Sequence, residues 1–453
     1  MEFYKNQNVE IINENNKTKI ISQQNKSTPG AFFRIHIDNN ETYKINLKAV
    51  KKSKGIVKLW IAYNDNSCIE FSEKYKIENH ITNIEYNLSN NTGKRQLYKI
   101  GLLFNNCRTG DYIIIHKNKV EKIPGSKYLY LYHYREGNGH YNTIWQIYVK
   151  EYARGKMDCI DIININKELL EKYKVIIIDF YVLARYNPLK GRDKYLSMLE
   201  GNKKIGIYLH DMHEYTFIDD KELRKKALID NRPSEHPDKG VKSFIKFLKM
   251  YNINYLISRC ECKEFYNILS AGKNIINRYY YLPHHINSKH FRYYELNKDY
   301  DIIIYGATSK STYPFRARLK NILLKSKFRI KYIPKKNAIY GEELSKLLNR
   351  SWIGIATKSN FDYLVCKYFE ISASKCVVAG DMPNQGKKIW KNNYIDLNNN
   401  MSDKEIIDKL SVYLNNKDKL VKIMDEMYKK VSSNYTYSNF TDKLKLICKD
   451  IDI

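Results

Sequence analysis

The feature that most constrains this chain is a change of period after Pro124, where short alternating runs give way to apolar strand-like runs separated by amphipathic helical ones. Strands that alternate with helices specify a parallel sheet covered on both faces, because a parallel crossover needs a dozen or more residues and a helix supplies them. The pattern occurs twice. The first set of runs is YLYLYHY (128–134), KVIIIDF (174–180), KKIGIYL (203–209), NYLISRC (254–260) and RYYYLPH (278–284). The second is YDIIIYG (300–306), RIKYIP (329–334), SWIGIAT (351–357), KCVVAGD (375–381) and NNYIDL (392–397). The polar stretch INSKHFRYYELNKD between them reads as a linker, so an α/β pair of doubly wound domains is expected over 124–295 and 296–435.

Upstream of Pro124 the signals differ. Residues 1–30 are polar and rich in Asn, Lys and Gln, and read as a flexible lead-in. From 31 to 123, runs such as FFRIHI, IVKLWIAY and YKIGLLF between turn residues predict an antiparallel β-sandwich. Such a domain is a candidate carbohydrate-binding module, with Trp60 and Tyr63 as its aromatics if they face outward, and as core residues if they do not. Beyond Ser402 the period is helical, and the tail 436–453 is a helix able to cross back to the first α/β domain.

A chain of 453 residues is long enough for several cores, and it has no apolar stretch long enough to span a membrane and no signal peptide, so a cytoplasmic protein is expected. Its eight cysteines lack paired CxxC spacing, which argues against a zinc site or a disulfide framework. The formal charge of +29 points towards polyanions. However, Lys, Asn, Ile and Tyr are enriched together, all four have AT-rich codons, and the basic residues are dispersed without an aromatic–basic nucleic-acid module. An anionic nucleotide accounts for the charge better than nucleic acid does.

Ligands of open α/β sheets lie at the carboxyl ends of the strands. The most informative exit is SWIGIATKSNFDYLVCKYFEISASKCVVAGD, where Asp362 is followed after seven residues by Glu370 at the start of a helix. One carboxylate can face a reacting centre while the other accepts hydrogen bonds from vicinal hydroxyls such as those of a ribose. The bland alternative makes Asp362 a cap and Glu370 a solvated helix position. Asn360 and Tyr363 complete the loop as candidate ligand contacts. Strand 300–306 ends in Gly306, and beyond it Lys310, Arg316 and Arg318 flank a helix opening at Tyr313-Pro314, a place suited to phosphate oxygens unless the arginines form a solvated face.

The segments Gly306-Ala-Thr-Ser, Tyr313-Pro-Phe-Arg-Ala-Arg-Leu319, Gly341–Ser351 and KYFEISASKCVVAGD together resemble the donor-binding half of family-1-like glycosyltransferases, including relatives of the spore-maturation CgeB group. YTYSNFTDKL resembles that family's closing motif; the likeness spans roughly 300–440, weakens over 125–295 and is absent from the first 120 residues. The resemblance implies the GT-B fold, two Rossmann-like domains facing a cleft. It also implies a nucleotide-sugar donor, a glycan or protein acceptor, a retaining outcome and no metal or other cofactor. It places Glu370 on the donor ribose and Asp362 near the transferred sugar, although Asp stands here where Glu is usual.

The first α/β set offers HYREGNGHYN, in which Gly137, Gly139 and His140 could form a cleft loop where backbone amides approach a ligand. His210 and Asp211 close the run 203–209 and are candidates for contacting the sugar or for acting as base on the acceptor hydroxyl. HDMH (210–213) does not have the helical spacing of a metal pair. Two other classes remain open: a non-catalytic carbohydrate-binding protein with a degenerate transferase fold, and a nucleic-acid-binding protein.

Overall fold

The computed structural model describes residues 126–133, 152–153, 155–179, 192–199, 201, 204–209, 237–309, 312–359 and 362–453, together with nine strands between Val9 and Ile123. The chain divides into two compact units, Met1–Lys127 and Tyr128–Ile453.

The first unit holds β1 (Val9–Glu14), β2 (Lys17–Ser22), β3 (Thr28–Ile37), β4 (Thr42–Lys52), β5 (Ile56–Tyr63), β6 (Cys68–Ile77), β7 (Thr82–Ser89), β8 (Gln96–Asn105) and β9 (Tyr112–Ile123). They form two antiparallel sheets, ordered β1-β2-β9-β4-β7 and β3-β8-β5-β6. The expectation of a loose lead-in over 1–30 is corrected here. β1 and β2 pair from Val9↔Ser22 to Glu14↔Lys17, and β2 continues onto β9. The segment is poor in apolar residues, yet Ile20 sits opposite Ile113 and both are fully buried, so the partner strand supplies the other half of the buried pair. The side chains of Trp60 and Tyr63 lie outside the described residues.

The second unit contains two lobes. In the first, β10 (Tyr128–Tyr132), β11 (Asp158–Asp161), β12 (Val175–Asp179), β13 (Lys204–Leu209), β14 (Ile253–Ser258) and β15 (Arg278–Tyr281) form a parallel sheet ordered β11-β10-β12-β13-β14-β15. Its described helices are α1 (Lys167–Glu171), α2 (Arg192–Ser197), α3 (Pro237–Met250) and α4 (Lys263–Ala271). In the second lobe, β16 (Tyr300–Tyr305), β17 (Ile330–Ile333), β18 (Ser351–Ile355), β19 (Val377–Gly380) and β20 (Ile395–Asp396) run parallel in the order β17-β16-β18-β19-β20. Its helices are α5 (Pro314–Leu324), α6 (Gly341–Asn349), α7 (Lys367–Ala373), α8 (Asn384–Trp390), α9 (Asp403–Asn415) and α10 (Lys417–Asn434). The sequence pattern missed only the four-residue edge strand β11 among these.

Both sheets are apolar on both faces. Leu129, Leu131, Ile176 and Ile178 enter one core, while Tyr128, Tyr130, Val175 and Ile177 enter the other, so the runs read as continuous rather than alternating. The second of these cores is closed by α11 (Tyr437–Asp452), which leaves the second lobe and lies on the first. Tyr437, Phe440, Leu444, Ile447, Cys448 and Ile451 are its buried stripe, each worth roughly 1.5–3 kcal/mol at full burial for the larger side chains. Thr436 and Asn439 form a capping box that fixes where the helix starts, and Lys156 anchors it through Thr441 Oγ1 at 2.9 Å and Asp442 at 2.8 Å.

The chain therefore crosses between lobes twice, and the crossings touch. Ile286 donates its N–H to the Tyr435 carbonyl (2.8 Å) and accepts from the Tyr437 N–H (2.9 Å). Beside this contact His285 is almost fully buried, with one ring nitrogen, Nδ1, 2.7 Å from the Pro283 carbonyl. The strand-exit ends of the two sheets also meet: Gln385 of α8 donates to the carbonyl of Glu261, just beyond β14, at 2.5 Å.

Candidate active site

The second sheet reverses direction between β16 and β18, since the chain steps from β16 to β17 on one side and from β18 to β19 on the other. At such a switch point the loops diverge and leave a crevice beyond the carboxyl ends of the two strands. The glycines there are forced. Gly380 at the end of β19 has φ +149°, and a Cβ on it would lie 1.8 Å from the Ala356 carbonyl oxygen. Gly306, directly after β16, has φ +81°, and a Cβ would lie 2.6 Å from Lys367 Nζ.

Glu370, in the first turn of α7, is 1 % exposed and accepts a hydrogen bond from the Tyr305 hydroxyl at 2.9 Å. It is neither a cap nor a solvated position. Burial, and then the Glu370 charge, hold the Tyr305 hydroxyl well above its usual range, so the phenol stays a donor. Arg316 of α5 is 1 % exposed and spans the crevice: Nη1 donates to the Ala307 carbonyl (3.0 Å) and Nη2 to the Thr357 carbonyl (2.9 Å). Its guanidinium stacks 4.0 Å from the Tyr313 ring centroid, and its Nε is buried with no hydrogen-bond partner among the described residues. Arg316 thus first ties the two strand exits together, and its Nε takes no part in that tie.

Asp362 stands on the rim. It has left-handed backbone, φ +57°, and its carboxylate pairs with Lys358 Nζ at 2.7 Å, both side chains being about two-fifths exposed. Two expected donor contacts are corrected. Arg318 is bound to Asp403 (2.6 Å) and to the carbonyls of Asn399 and Met401, because residues two apart on a helix face opposite ways and Arg316 occupies the crevice side. Tyr363 packs into the apolar cluster of the first lobe, as an inter-lobe contact rather than a donor contact. Lys310, Asn360, Gly137, Gly139, His140, His210 and Asp211 lie outside the described residues.

Three residues of this crevice went unread in the sequence. Lys367 is half-buried, with Nζ 3.5 Å from the Tyr305 ring centroid; burial lowers its pKa to about 8, the Arg316 charge adding to the effect and Glu370 opposing it. Thr357 is fully buried and its hydroxyl has no partner among the described residues. Asp381 follows β19 and accepts from the Lys358 N–H at 3.1 Å; burial raises its carboxyl to about 6. Their only sequence signal was position: a lysine inside YLVCKYFE, and polar residues directly at strand ends.

The first sheet switches between β10 and β12, and its exits carry paired groups. Tyr130 donates to Asp179 in a very short hydrogen bond, and His133 Nδ1 lies 3.0 Å from Asp161 Oδ1, which also accepts from the Ile163 N–H.

With this geometry in place the comparisons with known proteins become informative. Residues 291–445, the second lobe and the start of the crossing helix, match the family described as glycosyl transferase-like. By this match the second lobe is a glycosyl transferase-like domain, about a third of the chain. The two parallel sheets form a GT-B-type pair of Rossmann-like lobes. No curated protein matches the chain. Among solved structures, sucrose-phosphate synthase from Thermosynechococcus elongatus is 10 % identical over 72 % of this chain and 98 % of its own, with a TM-score of 0.46. TarM is 11 % identical over 98 % and 79 %, TM-score 0.42. A UDP-forming trehalose-phosphate synthase from Burkholderia xenovorans is 12 % identical over 70 % and 81 %, TM-score 0.40. With so little identity, these likenesses decide neither substrate nor stereochemistry. Among the described residues no helix is long and apolar enough to cross a membrane, and no three potential ligands gather as a metal site.

Proposed function

We propose that this glycosyltransferase moves a sugar from a nucleotide-sugar, held at the β16/β18 crevice, to a hydroxyl of a glycan or protein acceptor presented by the first lobe. The observation that carries the reading is Glu370, a carboxylate held at the switch point by Tyr305 and withdrawn from bulk water. A carboxylate so placed binds the vicinal hydroxyls of a ribose, and the neighbouring cations face the leaving diphosphate, where negative charge develops during transfer. Asp362 lies on the same loop at the rim, on the side of the transferred sugar. Retention at the anomeric carbon and independence of metal belong to this proposal.

The test is thermal unfolding against UDP-, GDP-, ADP- and dTDP-sugars. The matching donor raises the midpoint, because it binds only the native state. Glu370→Ala should remove that shift while unfolding as cooperatively as the parent. NMR of the product anomer and turnover in EDTA then check retention and metal independence. A panel in which no nucleotide-sugar moves the midpoint sinks the donor reading.

A further inference from the structure

The loop that carries Asp362 is held by both lobes. Directly after Asp362 the chain sends successive side chains to opposite sides. Tyr363, 3 % exposed, joins a buried cluster whose other buried members all lie between Leu129 and Ile268 of the first lobe. Leu364, fully buried, joins the second lobe's cluster with Tyr368 and Phe369, and Val365 packs against both. A second contact adjoins this one. Leu364 is seated against α8, where a Cβ on Gly386 would come within 3.0 Å of its Cδ1. From the same helix Gln385 donates to the Glu261 carbonyl at 2.5 Å, and Lys388 Nζ lies 3.6 Å from the Glu261 carboxylate. Tyr363 therefore belongs to a docked contact between the lobes.

Asp362 is fastened to the second lobe on its other side. Its N–H donates to the Ser359 carbonyl (3.0 Å), its carboxylate pairs with Lys358 Nζ (2.7 Å), and the Lys358 N–H is bonded to Asp381 at the exit of β19 (3.1 Å). The backbone at Asp362 is left-handed, φ +57°, a conformation that a residue other than glycine keeps where its surroundings hold it. Consecutive Cα atoms are only about 3.8 Å apart, so a ring buried at Tyr363 limits how far the neighbouring carboxylate can travel.

We propose that Tyr363 is a positioning residue for transfer: docked in the first lobe, it sets the Asp362 carboxylate in place, so that this carboxylate reaches its working position only while the acceptor-presenting lobe is seated. The proposal rests on the reading of Asp362 as the carboxylate beside the transferred sugar, and adds the residue that ties it to the opposite lobe. In this role Tyr363 touches no reacting atom. A misplacement of about 1 Å at a reacting group costs up to about a hundredfold in rate, whereas the donor is gripped by Glu370 from within the second lobe. Loss of Tyr363 therefore slows turnover and spares donor affinity.

The experiment compares the full chain with Tyr363→Ser, Tyr363→Phe, Asp362→Asn and the double variant Tyr363→Ser with Asp362→Asn, each first shown to unfold cooperatively. The probes are the same UDP-, GDP-, ADP- and dTDP-sugars, read as the shift in unfolding midpoint and as release of the nucleoside diphosphate when water takes the acceptor's place. Tyr363→Ser should slow release at saturating donor by about thirtyfold, with KM and the midpoint shift within about twofold of the parent. Tyr363→Phe keeps the ring and should keep the rate. Because Tyr363 acts through Asp362, the double variant should be within about twofold of Asp362→Asn, where independent residues would multiply their losses. With no ligand present, hydrogen exchange in peptides covering Asp362–Val365 should quicken about tenfold in Tyr363→Ser, while β16, β18 and β19 stay as protected as in the parent. Donor affinity falling in step with the rate, multiplied losses in the double variant, or unchanged exchange would each overturn the positioning role. Should Glu370-dependent donor shifts persist in that case, the donor reading stands without it; should none of the sugars bind or turn over, both fall.

Discussion

The two switch points differ, although the first sheet also leaves the buried Tyr281 hydroxyl at the end of β15 without a partner among the described residues. At the carboxyl end of the first, Tyr130 is bonded to Asp179, and His133 lies against an Asp161 that also caps the following turn. At the corresponding end of the second, Lys367, Arg316 Nε and the Thr357 hydroxyl have no partners among the described residues. Both ends have the same strand order around the switch point, so the contrast comes from side chains rather than topology. An end that satisfies its own polar groups contributes rigidity. One that leaves them unmet holds its hydrogen-bonding capacity for something else.

The contrast breaks most readily at Gly380. Replacing it by alanine should cost several kcal/mol, because the new Cβ has nowhere to go and the backbone is left-handed, and chemical denaturation should show the loss whether or not a donor is present. Next in size, Glu370→Gln should reduce transfer by about a hundredfold, roughly 2.7 kcal/mol, with little change in the unfolding midpoint. A fall in midpoint as steep as the fall in rate would make Glu370 a structural residue instead. On the other sheet, Tyr130→Phe should cost about 1–3 kcal/mol by removing a buried hydrogen bond from Asp179, with nucleotide binding unaltered. Smallest, Arg318→Ala should change stability by no more than about 1 kcal/mol and donor affinity not at all, since its ion pair is solvated and away from the crevice.

The hinge supplies a pH test that belongs to neither end. Burial, with a lesser contribution from Lys443, lowers the His285 pKa from 6.5 to about 3. A base whose folded pKa is depressed binds its proton more readily when unfolded. Stability should therefore hold above about pH 6.5 and fall progressively towards pH 3. Urea titrations of His285→Gln should show a shallower acid limb than the parent, and identical limbs would remove His285 from the account.

How far this could be read from residues varies along the chain. The doubled sheet was plain because strands buried on both faces must be apolar throughout, and YDIIIYG or KVIIIDF leaves little choice. Glu370 was legible from its spacing to Asp362 and its place at a strand exit. Arg318 misled because a linear motif does not show helix phase, and Tyr363 because a loop residue gives no sign of which lobe it joins. Lys367 stayed hidden inside an apolar run, where only coordinates show that an ammonium lacks a partner. β1 and β2 escaped because strands at the margin of a sheet draw part of their buried surface from neighbours far away in sequence, as Ile20 does from Ile113.

The paired crossings at Ile286 and Thr436 have a consequence for motion. Two connections fastened side by side should favour rotation of the lobes about a line through that contact over shear or sliding. Because α11 covers the first sheet after the chain has traversed the second lobe, the first lobe's core is completed by residues made well after its own strands. Removing that helix should therefore expose the apolar face around Tyr130 and Ile177 and destabilise a lobe whose own strands end some 170 residues earlier, at Tyr281, before α11 closes at Asp452.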